Sequence, residues 1–215
     1  MKDIRYAIFD MDGTLLDSMH IWDTAEGAFL MMRGIVPKEF DLFRKQGYKT
    51  GISYMIEEYK LDLSFDEVLD GLQEILWFYY SKIAPIKQGV KDFLNALRDN
   101  GTRMIVATAT ERKMARKALE RNEILEFFDE VYSMHELGIH KNDPATFDFL
   151  AKKMNAEGEV YVFEDALYAV KSAKEYGCKV IGIEDYSNED DREEIKEIAD
   201  FYAENYEQIK EYFEI

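Results

Sequence analysis

Residues 9–18 read Phe9-Asp10-Met11-Asp12-Gly13-Thr14-Leu15-Leu16-Asp17-Ser18, and the break inside this stretch decides the fold. The run before it, Ile4 to Phe9, is short, nearly uncharged and rich in β-formers, which suits a buried strand better than a helix. Asp10 then closes a central parallel strand, and in open α/β sheets the ligand crevice lies beyond the carboxyl ends of the strands. Gly13 lets the backbone turn sharply away. Asp10 and Asp12 repel each other unless they share a cation or a proton, and hard carboxylate oxygens on a small loop suit Mg2+. An ordinary reading competes, since Asp and Gly are common turn residues; for an isolated DxDG it would prevail.

Further strand-like runs follow downstream. Met104 to Ala107 ends at Thr108, and TATERK leads into a helix carrying Ala115, Ala118 and Leu119. Hydroxyls and free backbone N–H groups at a helix N-terminus favour an anion, while Thr110 taken alone reads as a simple N-cap. Asp129 to Ser133 is a third strand, followed by the loop Gly138 to Pro144, which contains His140 and Lys141 and opens a helix with Phe147, Leu150 and Met154. Val160 to Phe163 is the fourth, and it ends in a second acidic pair, Glu164 and Asp165. The helix after that pair stops at Gly177, Cys178 to Ile183 makes a fifth strand, and a short one is expected at Phe201 to Ala203.

FDMDGTLLDS resembles the first motif of the haloacid dehalogenase superfamily, the aspartate-nucleophile phosphatases and phosphotransferases. The resemblance implies that Asp10 takes the phosphoryl group, and that Asp12 protonates the leaving oxygen and then activates water. Thr108 falls at the second motif as a phosphate-binding hydroxyl. Lys141 falls at the third, where it would neutralise the paired acids and the transferring oxygens; the residue after it is Asn142 where proline is commonest. Glu164 and Asp165 fall at the fourth, whose acids hold Mg2+ with Asp10 and Asp12; Ala166 stands where serine is common. The catalytic set implied is Asp10, Asp12, Thr108 and Lys141. The metal set is Asp10, Asp12, Glu164 and Asp165.

Between the first strand and Pro85 the pattern is helical throughout. Met19 to Arg33 carries apolar residues at helical spacing with Asp17 or Ser18 as N-cap, and further helices are expected around Lys38 to Gln46, Ile52 to Lys60 and Ser64 to Lys82, the last with an S-x-x-E capping box. The fold class expected is α/β, a Rossmann-like doubly wound parallel sheet formed by residues 1–18 and 84–215, with residues 19–83 as an inserted α-helical subdomain. In the superfamily this placement resembles the branch with a small helical cap, which includes phosphatases and β-phosphoglucomutase-like enzymes. One stretch of the insertion, Arg44 to Gly51, is basic and glycine-bearing; it reads equally as a substrate-facing loop or a solvated turn.

Composition bounds the function. With 215 residues, 47% hydrophobic and 33% charged, the chain has the makeup of a globular protein, and no apolar stretch is long enough to span a bilayer. The N-terminus lacks a signal-peptide core and Cys178 is the sole cysteine, so a cytoplasmic setting is expected. A net charge of -17 argues against nucleic acid and anionic membranes as partners. A phosphorylated substrate needs a locally cationic site in such a chain. Much of the excess acid lies between Glu184 and Glu214, read as a mostly helical, solvent-facing tail with no catalytic candidate. The sequence leaves the oligomeric state open, and a monomer is compatible with it.

The reading that results is a Mg2+-dependent phosphatase of a small phosphorylated metabolite, working through an aspartyl-phosphate. A phosphosugar mutase is the alternative, although DSMHIW does not place a histidine where the mutases have theirs. A receiver-like phosphate-binding domain without turnover ranks third, and a structural interaction protein below it.

Overall fold

Six short runs, Tyr6–Phe9 (β1), Arg103–Thr108 (β2), Glu130–Ser133 (β3), Val160–Glu164 (β4), Lys179–Ile183 (β5) and Phe201–Ala203 (β6), form one parallel sheet in the order β3-β2-β1-β4-β5-β6. The computed structural model in which they pair describes residues 4–38 and 48–215. β1 is central, with Phe9 opposite Val106 on one side and Phe163 on the other. Strand order runs outward from it in both directions. The connections therefore leave on opposite faces and open a crevice at the carboxyl ends of β1 and β4, where Asp10 and Glu164 stand.

The strands are apolar on both faces because helices cover both. Successive side chains alternate across a sheet, so Ile8 and Phe9 enter different cores. Ile8 joins Val162, Val180, Phe147, Leu150, Met154 and Val170, bringing in the helices Pro144–Lys153 and Leu167–Tyr176. Phe9 stacks on Phe163 with ring centroids 4.4 Å apart and meets the edge of Phe93 from the helix Val90–Asp99. Phe213 of the C-terminal helix Tyr206–Phe213 packs into the same aromatic cluster. Each fully buried ring contributes about 2 kcal/mol relative to exposure.

The chain divides into two compact units, Met1–Asp17 with Pro85–Ile215, and Ser18–Ala84. Within the first, the outgoing and returning segments pair: Leu16 bridges Ile86 antiparallel, and the Asp17 N–H donates to the Pro85 carbonyl at 3.0 Å. In the second, described helices cover His20–Met31, Tyr48–Glu58 and Phe65–Lys82. The capping box of the third is formed, Glu67 accepting from the Ser64 N–H at 2.8 Å while Ser64 accepts from the Glu67 N–H at 3.3 Å. The Ser64 N–H, and the Ser64 hydroxyl that also donates at 2.8 Å, hold the Glu67 carboxyl below its usual range. Gly71 lies mid-helix because Phe29 of the first helix is so near: a Cβ there would stand 2.5 Å from its ring. Among the described residues no helix is long and apolar enough to cross a membrane.

Two expectations need correction, and a third lies largely outside the described residues. The first helix of this unit has Met19 as its N-cap with no side-chain bond; Asp17 is drawn instead into the pairing with Pro85. The helix expected from Ile52 begins at Tyr48, with Gly51 buried within it, so that glycine answers to packing and not to a turn. The expected helix from Lys38 to Gln46 and the basic residues Arg44 to Gly47 lie, apart from Lys38, outside the described residues.

Candidate active site

Asp10 leaves β1 with its N–H bonded to the Phe163 carbonyl at 3.0 Å, which fixes it beside the end of β4. Lys141 comes from the loop before Pro144. Its backbone carbonyl accepts from Ser172, and Asp143 caps the following helix by accepting from the Ala145 N–H at 2.9 Å. So held, the Lys141 ammonium donates to Asp10 Oδ1 and, at 2.7 Å, to Glu164 Oε2. The other oxygen of Glu164 accepts the N–H groups of Asp165 and Ala166, at 3.2 and 3.1 Å, where the next helix begins. Asp165 accepts from Thr14 Oγ1 at 3.0 Å on Oδ1 and from Asn188 Nδ2 at 2.7 Å on Oδ2. Carboxylate oxygens of Asp10, Glu164 and Asp165 lie within 4.8 Å of one another, and all three residues are buried.

Three buried acids around one ammonium leave an excess of negative charge. Burial raises the Asp10 carboxyl to about 8, outweighing the attraction of Lys141, with Glu164 and Asp12 adding to the rise. Burial, then Glu164 and Asp10, hold Asp165 well above the usual carboxylate range. Burial works against the charge on Lys141, but Asp10 and Glu164 outweigh it and keep the ammonium well above the ordinary lysine range. Hard oxygen donors this close, short of one positive partner, are chemically suited to a small divalent cation such as Mg2+.

This electrostatic shortfall has a measurable sign. The unfolded chain releases an aspartate proton near pH 3.9, whereas folded Asp10 keeps its proton to about 8. Between those values the folded state binds more protons, so stability of the metal-free protein falls as pH rises through that window. The melting temperature in a chelator should drop from about pH 5 to about pH 8, and Mg2+ should restore more of it at the higher pH. A flat profile without Mg2+ would contradict the buried-acid account.

Asp12 points elsewhere. Its carboxylate lies outside the mutually close three, although the sequence put it in the metal set, and it accepts from Thr110 Oγ1 at 2.7 Å. Thr108 Oγ1 is 3.5 Å from the same oxygen, at the outer limit of a hydrogen bond, and accepts the Thr110 N–H at 3.0 Å. Thr110 is therefore not the N-cap expected of it. Glu111 occupies that position without a side-chain bond, and the Thr110 hydroxyl is taken up by Asp12. His140, read as incidental, is exposed.

Thr14, Thr110 and Asn188 were not among the candidate site residues. A threonine inside an otherwise apolar turn was a signal for Thr14, and the spacing of two from Thr108 was one for Thr110. Nothing local distinguishes Asn188. Gly13 is more demanding than a turn requires: its φ is +80°, and a Cβ would lie 2.8 Å from Asp165 Cγ. Gly13→Ala should cost about 1–3 kcal/mol and weaken Mg2+ binding, read by denaturant unfolding and metal titration. A wild-type result in both would show that the loop yields freely.

A profile of the family described as haloacid dehalogenase-like hydrolases matches residues 7–183. The chain is 26% identical over 178 residues to the phosphorylated carbohydrates phosphatase of Thermotoga maritima, covering 81% of this chain and 82% of that protein. Among solved structures, a Thermotoga maritima protein provisionally described as a beta-phosphoglucomutase aligns with TM-score 0.82 at 22% identity, over 99% of this chain and 100% of that one. The Bacillus subtilis protein YfnB, provisionally described as a HAD-hydrolase and bound to magnesium, aligns at TM-score 0.79 and 17% identity over 100% of both chains. At those identities the two structures speak for the fold.

Proposed function

The chain belongs to the haloacid dehalogenase-like hydrolase family, and from that premise we propose that it is a phosphatase that transfers the phosphoryl group of a small phosphomonoester to Asp10 and then to water. The observation that carries this reading is the Lys141 ammonium bridging Asp10 and Glu164 at the ends of two adjacent central strands, with Asp165 completing the acid cluster. A buried carboxylate beside a fixed cation is held in place to attack phosphorus. The Lys141 ammonium, together with a divalent cation on the clustered acids, would answer the anionic substrate that a chain of net charge -17 would otherwise repel.

The Asp10 carboxylate forms the new P–O bond in line with the departing ester oxygen, and Asp12 gives that oxygen a proton as its bond to phosphorus breaks. Thr110 holds the Asp12 carboxyl in one orientation for this exchange. Asp12 then takes a proton from water, whose oxygen attacks the acyl phosphate; phosphate leaves and the Asp10 carboxylate is restored. Thr108 offers its hydroxyl to a phosphoryl oxygen. Lys141 stabilises charge on the transferring group while keeping Asp10 and Glu164 paired. Mg2+, held by Asp10, Glu164 and Asp165, would supply the remaining neutralisation of the phosphoryl oxygens.

Hydrolysis is favoured over mutase chemistry because DSMHIW puts no histidine at the mutases' position; the histidine it does hold, His20, lies with its Nε2 3.0 Å from the Tyr79 hydroxyl within the helical unit. The test is phosphate release from a panel of small phosphomonoesters with and without Mg2+, headed by sugar phosphates because the Thermotoga maritima relative is named for phosphorylated carbohydrates. Metal-dependent release is the expected result. Silence across the panel, with isomerisation of a sugar phosphate, would transfer the assignment to a mutase.

A further inference from the structure

Asp165 is closely enclosed, with the Gly13 backbone against it, Thr14 on Oδ1 and Asn188 on Oδ2. Asn188 comes from a distant part of the chain, 23 residues on, beyond β5. Its own orientation is determined. One amide N–H goes to Asp165 at 2.7 Å and the same nitrogen lies 3.2 Å from Ser187 Oγ; a flipped amide would put a carbonyl against the carboxylate. Ser187 is held in turn by Asp185, which accepts its N–H at 3.0 Å and its hydroxyl at 2.7 Å. Asp185 is buried and paired with Lys87 at 3.0 Å, and Lys87 also donates to the Glu184 carbonyl at 2.6 Å. The backbone bends at Asn188, φ −115° and ψ 26°, between two helical turns, and its side chain reaches Asp165 from that bend.

We infer that Asn188 is a positioning residue for the metal site: its amide fixes the plane of the Asp165 carboxylate, and the Lys87–Asp185 pair and Ser187 brace that amide from the stretch that follows β5. This rests on the Mg2+-assisted reading above and deepens it. The physical need is evident from the charges. Clustered carboxylates without their cation repel, and one free to rotate about its terminal bond relieves the strain by turning away. Thr14 restrains only one oxygen, and Ala166, next in sequence, has no hydroxyl to restrain the other. Outer hydrogen bonds of this kind typically govern metal affinity by tenfold or more.

The experiment titrates Mg2+ alone into the full-length, metal-stripped protein by calorimetry, comparing wild type with Asn188→Leu, which keeps the shape and removes the donor, and Asn188→Gln, which keeps an amide. The dissociation constant should rise by about tenfold or more in Asn188→Leu and recover in part in Asn188→Gln. In turnover assays the Mg2+ concentration for half-maximal rate should rise by more than kcat falls. If the leucine variant lacks a cooperative melt, Asn188→Ala, on a half-buried bend, decides the question. A wild-type Mg2+ constant in a folded variant lacking the amide would overturn the inference and leave the phosphatase reading standing. A wild type that binds no Mg2+ would overturn both.

Discussion

Asp10→Asn should reduce phosphate release by about 10,000-fold or more, the scale on which loss of a nucleophile acts, while the protein folds as before. The amide has nearly the shape of the carboxyl, and its oxygen still accepts from Lys141, so the packing at the end of β1 is kept. Its stability should move in the opposite direction to its activity. Burial pushes the Asp10 carboxyl up to about 8, so above the ordinary aspartate range folding must either protonate this group or, past about 8, bury its charge, and a neutral side chain removes that cost. In a chelator near pH 8 the variant should therefore melt at or above the wild-type temperature. A folded variant that still releases phosphate at a rate near wild type would remove Asp10 from its assigned role. Asp12→Asn in parallel separates the two acids, since it keeps the Lys141 hydrogen bonds to Asp10 and Glu164 and should slow leaving-group protonation and hydrolysis.

Lys141→Met should lose both activity and stability. The ammonium is the partner of Asp10 and Glu164, with about 5% of its side chain exposed, so methionine leaves three buried acids facing one another. Removing one member of a buried pair costs roughly 3–5 kcal/mol, or roughly 10 °C of melting temperature in a chain of this size. The acids can partly relieve themselves by taking up protons. The loss should thus be small near pH 5 and larger near pH 8, the direction set by carboxyls whose folded pKa lies above the unfolded one. Added Mg2+ should recover part of the stability but not the rate, because the lysine also meets the transferring phosphoryl oxygens; a drop of about a thousandfold in kcat is expected. Equal melting temperatures for variant and wild type in chelator at pH 8 would show that the ammonium does not carry the charge balance assigned to it.

The strands were legible because each is a short apolar run that stops at a polar residue. Met104 to Ala107 stops at Thr108 and Val160 to Phe163 at Glu164, and an acid or hydroxyl at such an end marks the crevice side of a parallel sheet. The capping box at Ser64 was readable for a similar reason, since both partners lie within one helical turn. Thr110 was misread because a threonine before a helix normally bonds that helix, and only the approach of Asp12, 98 residues earlier in the chain, draws its hydroxyl away. The acid-rich tail was taken as solvent-facing on composition. Tyr206 and Phe213 in it are nevertheless buried, and the Tyr206 hydroxyl donates to the Thr14 carbonyl at 3.2 Å. Spaced aromatics among charges carry no mark of which side chain turns inward.

Sequence by itself determined the fold class, the helical character of the stretch between the first strand and Pro85 where it is described, and the identity of the acids at the ends of β1 and β4. These depend on local patterns: apolar runs of strand length, glycine where the backbone must turn, carboxylates at fixed spacing. Tertiary structure alone decided which acids gather around Lys141, that the side chain of Asp12 turns to Thr110, and that Asn188 reaches Asp165 across 23 residues. Those are matters of ångströms between segments far apart in the chain. They follow from the register in which β1, β4 and β5 pair, a cooperative outcome of packing that no single stretch encodes.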